Sequence, residues 1–331
     1  MSVKARALAA AAVCAAALGC SSAQRAAPKP SSAPGSTSNT TSTATPVPSS
    51  TSNTTSTSIS NTSSPPGAPS TAAQLAAAEA AWAHRDDPAA LDEAVRLWEA
   101  AALRLAAPAD ALTAAARARR LRLERAAWSA QDALESVSRD ATACADDARR
   151  AWSALFPEAA AAVSAGRPLA EALASIGPQG AEAVYLEAVC AGAWARAQGF
   201  TPLVERREEL REMFSRVGQL APQLDDAGAE RELGKLFAAL PAYAGGDLRE
   251  ARNHLDNAVA RAPRAARNHL VYARTVAVKA QDRALFESQL QAALDAGDPA
   301  AAAEARELLS REDELFGPAE AAQPIPGGPS R

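Results

Sequence analysis

Aromatic side chains make up only 4% of this 331-residue chain, and histidine occurs three times. His84, His254 and His269 are far apart, and no cysteine or carboxylate cluster accompanies them at metal-ligand spacing. A metal centre and a histidine-based acid–base site therefore have no residues to draw on. No phosphate-binding loop, dinucleotide fingerprint, G-x-S-x-G or H-E-x-x-H occurs either, so the reading is no catalytic residue, no metal and no cofactor. The formal charge of -4 gives no basic excess, which argues against a nucleic-acid partner. Methionine is nearly absent, while alanine is far in excess. Alanine has the best helix propensity and a small side chain, so closely packed helices without a bulky core are expected.

The N-terminus reads as a targeting segment. Lys4 and Arg6 precede an apolar run from Ala7 to Leu18, too short to span a bilayer as a mature helix. Ala17-Leu18-Gly19-Cys20 resembles a bacterial lipobox, which makes residues 1–19 a lipoprotein signal peptide and Cys20 the lipidated residue. Ser21 after the cysteine points to the outer membrane. Residues 20–70 are dominated by Ser, Thr, Pro, Ala and Asn. Such a stretch cannot bury enough apolar area to offset its ordering entropy, so a disordered tether spanning roughly 40 Å is expected. The Pro- and Gly-rich residues 317–331 read as a disordered tail.

Between them, residues 71–316 carry apolar side chains at helical spacing, with no strand period. The clearest unit is a helical hairpin from Glu230 to Pro263. Leu233, Gly234 and Phe237 keep the spacing of the first helix of a tetratricopeptide unit, and Ala251, Leu255, Ala258 and Pro263 that of the second. Pro241 ends the first helix, Gly245 and Gly246 make the turn, and Asp247 with Glu250 forms a capping box. One hairpin cannot bury its apolar face alone, so the fold class is all-α, a solenoid of tetratricopeptide-like hairpins.

Earlier pairs follow the same spacing more loosely: 71–85 with 88–106, then a helix capped by Asp110, then 131–156 ended by Pro157. Arg117, Arg119, Arg120, Arg122 and Arg125 read as a solvated basic face, or else as a patch for an acidic partner or lipid headgroups. Trp82, Tyr185, Trp194, Phe237 and Tyr272 lie on first helices, where they pack between pairs or line a concave groove. Cys144 and Cys190 fall mid-helix in an oxidising compartment. Either they bridge two antiparallel helices, or they are buried reduced thiols.

Several pieces in fixed order between Glu182 and Phe316 resemble the T-component of TRAP transporters, the TatT family. They are Val184-Tyr185-Leu186, Leu233-Gly234 with Leu240-Pro241, Gly245-Gly246-Asp247, Gln281-Asp282-Arg283 with Phe286, and Ala305-Arg306-x-Leu308-Leu309 before Asp313-Glu314-Leu315-Phe316. The resemblance implies a periplasm-facing envelope lipoprotein that forms homo-oligomers. It also implies work beside a periplasmic substrate-binding P-component, and an apolar solute as cargo.

Overall fold

The computed structural model describes residues 69–126 and 131–317. Cys20, the signal peptide, residues 20–68 of the tether and residues 318–331 lie outside the described residues, and Ser70 at the tether's end caps the first helix by accepting from Ala73 N. Every regular element among the described residues is helical. Helices α1 (Thr71–Ala83), α2 (Pro88–Ala102), α3 (Ala109–Arg125) and α4 (Gln131–Leu155) each pack on the next. Short α5 (Pro157–Ser164) and α6 (Leu169–Ala174) precede α7 (Ala181–Gln198), which returns to pack on both α3 and α4. Helices α8 (Phe200–Leu220), α9 (Gly228–Ala239) and α10 (Leu248–Arg261) continue the series.

Helix α11 (Ala266–Tyr272) runs through a π-helical segment, Ala273–Ala277, into α12 (Val278–Ala280). Helices α13 (Arg283–Asp295), α14 (Pro299–Ser310) and α15 (Glu312–Phe316) are the last among the described residues.

The alanine content acts as its composition suggests. Ala116, Ala141, Ala148 and Ala193 are buried where α3, α4 and α7 meet, and small side chains there let the helix axes approach. Cys144 and Cys190 lie in the same cluster, bonded to each other with Cα atoms 5.9 Å apart. Gln198 bonds to Ser138 at one end of this helix pair and Trp152 to Glu187 at the other, so α4 and α7 run antiparallel.

The central hairpin forms as its sequence dictates, with one difference. Gly234 lies against its partner helix, where an added Cβ would meet Leu255 Cγ at 2.6 Å and Ala251 O at 3.2 Å. Leu240 ends α9 in extended backbone before Pro241, and a 3₁₀ turn, Ala242–Ala244, occupies the connection. Asp247 caps α10 by accepting from Arg249 N at 2.8 Å and Glu250 N at 3.1 Å. Its own N–H donates to Phe237 O at 3.2 Å, so the α9 backbone fills the role assigned to Glu250 in a capping box.

Other local readings are corrected. Helix α3 begins at Ala109, which leaves Asp110 in its first turn rather than at the cap. Pro157 stands at N1 of α5, where a missing N–H costs nothing, so it starts a helix as well as following one.

The arginines of α3 are not a free basic face, since each is ion-paired, although Arg117 and Arg125 stay half exposed. Arg117 pairs with Glu182 at 2.7 Å, and Arg119 with Asp147 at 3.2 Å and with Glu99. Arg120 pairs with Asp225 at 2.7 Å, Arg122 with Asp92 at 2.6 Å and Arg125 with Asp86 at 2.8 Å. The row is a ladder of ion pairs to acids on the surrounding segments.

Candidate functional site

The five aromatics do not gather on a common groove. Tyr185 and Tyr272 are each 1% exposed and belong to the core. Trp82 packs against Trp98 with ring centroids 5.8 Å apart, Phe237 stacks on His254 at 5.5 Å, and Trp194 lies under the Arg206 guanidinium. The groove expectation therefore fails for Tyr185 and Tyr272, whose rings are consumed by packing.

The second family motif is equally occupied. Gln281 adopts a left-handed conformation and its side chain donates to Val278 O at 2.9 Å and Leu315 O at 3.3 Å. Asp282 caps α13 by accepting from Leu285 N at 3.0 Å. Arg283 pairs with Glu312 at 2.9 Å and lies over the Phe316 ring, which also packs on buried Phe286. This motif clamps α15 onto the domain.

What the chain does enclose is a cavity of about 230 Å³ between α7, α8, α9 and the π segment. Small residues make the room. Ala188, Val189 and Gly192 face it from α7, one helical turn apart. Leu203, Leu210 and Phe214 form its α8 wall, and Leu236, Ala238 and Ala239 its α9 wall. The π segment inserts an extra residue into its turn and supplies Arg274 and Thr275, and α12 adds Lys279. Such π turns recur at functional sites because they re-aim side chains that a regular helix would place elsewhere.

Four cations and one anion, Glu232, line this otherwise apolar space. Lys235 Nζ sits 2.6 Å from Glu232 Oε2, one helical turn away. Glu232 has a side chain only 3% exposed. Burial works to raise its pKa, yet Lys235 first, then Arg231, Arg196 and Arg267, hold it well below the usual carboxylate range. Lys235 goes the other way. Removal from water pushes its pKa down to about 7, against the pull of Glu232. Arg274 pairs with Glu304 at 2.7 Å, and Lys279 donates to Ala238 O.

A second, more polar cavity of about 720 Å³ adjoins the first and shares Val189, Arg196, Lys235 and Arg274 with it. Its remaining charges include Arg120, Arg267, Glu124, Asp298 and Glu304.

On another side, the turn after α9 carries Tyr243, 86% exposed. Next to it Phe237, Leu240, Gly246, Asp247 and Leu248 line a shallow concavity of about 510 Å³, which shares Lys279 and Ala238 with the apolar cavity. Gly245, at φ +89°, takes the left-handed turn position here. The sequence singled out this turn but not the cavity beside it. The signal for the cavity was the Glu232-x-x-Lys235 pair inside an apolar helix face.

A family model for the TRAP transporter T-component matches residues 99–316, from the end of α2 through α15. The chain belongs to the TRAP transporter T-component family. The family match takes in α3 to α6, which the motif resemblance alone left out, and with them the α3 arginines and Cys144. Membership in the T-component family associates the chain with a TRAP transporter of the bacterial envelope. No curated protein gives a significant match to the chain. Among the described residues no helix of this T-component is long and apolar enough to cross a membrane, and no group of His, Cys, Asp and Glu could hold a metal ion.

Proposed function

We propose that this T-component is a non-catalytic lipoprotein of the cell envelope that docks a periplasmic substrate-binding P-component and holds an apolar solute. The observation that carries the reading is the placement of an exposed aromatic, Tyr243, on the turn beside the shallow concavity of Phe237, Leu240 and Leu248. Exposed aromatics beside apolar hollows are the usual anchors of protein interfaces. The solute cavity lies directly behind, with Lys279 common to both, so a docked partner would sit next to the cargo. Homo-oligomerisation and the outer membrane belong to the same reading.

The test is titration of the full chain with a TRAP-type substrate-binding P-component from the same organism. Association at tens of micromolar or tighter is expected, and Tyr243→Ala should weaken it at least tenfold. No association in folded protein would leave an envelope scaffold without this partner. Cys20 is the anchor in this reading, because two or more acyl chains hold a protein stably at a bilayer where one does not. Cys20→Ser should release the protein from envelope membranes, and a variant that fractionates unchanged would end the lipoprotein part.

A further inference from the structure

The two cavities meet at a boundary that has a chemical meaning. On one side the walls are Leu203, Leu210, Phe214 and Leu236, a space that favours hydrocarbon. On the other side the lining is charged and open to water-sized molecules. Arg196, Lys235 and Arg274 line both. Taken together, the two linings hold six cations, Arg120, Arg196, Lys235, Arg267, Arg274 and Lys279, against four anions, Glu124, Glu232, Asp298 and Glu304.

A purely apolar cargo would have no use for cations at the mouth of its own cavity. It would have to cover them and strip their water, with nothing to offset the loss of hydration. A solute with a positive head would meet an excess of its own sign. A dianion would match the excess of two charges in number but would leave the apolar walls of Leu203, Leu210, Phe214 and Leu236 without a partner. What fits is a chain that fills the apolar side and ends in one negative charge at the boundary, where a guanidinium can grip a carboxylate through two parallel hydrogen bonds. The π turn strengthens the point. It spends regular helical hydrogen bonding at the segment that brings Arg274 and Thr275 to the cavity wall.

We propose that this site binds an aliphatic monocarboxylate, its chain between α7, α8 and α9 and its carboxylate at the Lys235–Arg274 boundary. The proposal rests on the solute-holding half of the reading above and is independent of the docking half, whose test uses no solute.

The probe is sodium decanoate, titrated calorimetrically into the full chain, with decanol and decyltrimethylammonium as head-group controls. Decanoate is expected to bind at least tenfold tighter than decanol, and decyltrimethylammonium more weakly still. Gly192→Leu places a branched side chain in the apolar wall and should abolish binding, while Arg274→Gln should weaken decanoate at least tenfold and leave decanol unchanged. Lys235→Gln should act like Arg274→Gln, and if it fails to fold the Arg274 variant carries the test alone. Equal binding of decanoate and decanol would overturn the carboxylate and leave an apolar-solute site. Binding of none of the three would remove the solute from both readings while leaving docking untouched. Binding that survives Gly192→Leu would place the ligand elsewhere and also overturn the proposal.

Discussion

The Tyr185 hydroxyl donates to Asp225 Oδ2 at 2.6 Å, tying the middle of the domain to the turn between α8 and α9. That turn is unusual, because Asp225, Asp226 and Ala227 are three successive non-glycine residues in the left-handed region. Left-handed backbone costs roughly 1–2 kcal/mol per residue, so something outside the turn must hold it. Arg231 donates to Asp225 O at 3.0 Å and pairs with the Asp225 carboxylate, and Asn268 donates to Asp226 O at 2.9 Å. Arg120 reaches the same carboxylate from α3. Burial works to raise the Asp225 pKa, but Arg120 and Arg231 outweigh it and hold it at about 2. Asp225→Asn should therefore destabilise the chain by about 3–5 kcal/mol, since it strands a buried arginine. Tyr185→Phe should cost about 1–3 kcal/mol. Urea unfolding at pH 7 measures both, and an Asp225→Asn loss below about 1 kcal/mol would mean the turn is held by the backbone contacts of Arg231 and Asn268 without the carboxylate. The stability that Asp225 contributes is present above the ordinary carboxylate value of 3.8 and disappears as pH falls through about 2.

Lys235 gives the opposite linkage. Its folded pKa of about 7 lies below the ordinary 10.5, so between those values the unfolded chain binds more protons and stability rises with pH. The contribution is complete above about 10.5 and is lost as pH falls through 7. The thermal midpoint of the wild type should climb between pH 7 and 9 relative to that of Lys235→Gln. Parallel pH profiles for the two proteins would show that Lys235 is solvated.

The turn after α9 depends on one glycine for space. A Cβ on Gly246 would meet Leu240 O at 1.8 Å, and a backbone atom cannot swing aside. Gly246→Ala should cost about 2–4 kcal/mol. Gly297, with positive φ but open surroundings, is the control, and alanine there should cost about 1 kcal/mol. Equal losses at both positions would show that the close approach to Leu240 does not exist in solution.

The Cys144–Cys190 bond closes a loop with a sequence separation of 46. Cross-linking such a loop stabilises by at most about 4 kcal/mol in the chain-entropy picture. Under denaturing, non-reducing conditions neither cysteine should alkylate, and reduction should lower the thermal midpoint. Two alkylatable thiols would return the pair to buried reduced cysteines.

Local signals were legible in the sequence and tertiary ones were not. Gly234, Pro241 and Asp247 announce the central hairpin because a close approach, a missing N–H and an N-cap each act within a few residues. The α3 arginines show the opposite case. Apart from Glu124 beside Arg120, their partners, Asp86, Asp92, Asp147, Glu182 and Asp225, come from distant segments, so no short window reveals that the whole row is neutralised. The π turn at Ala273–Ala277 has no proline or glycine to mark it. The cavity has no local mark because it is built from what small residues leave empty, whereas the aromatics, which stand out in the sequence, are absorbed by the core.

The ladder on α3 also decides how the protein feels salt. Opposite charges held a few ångströms apart cancel within a short distance, so this arginine-rich helix projects little field beyond its own surface. An incoming partner several Debye lengths away would not sense it, and the encounter rate should owe it almost nothing. Added electrolyte would act on these contacts from within, so ionic strength should register in the unfolding midpoint far more than in the speed of association.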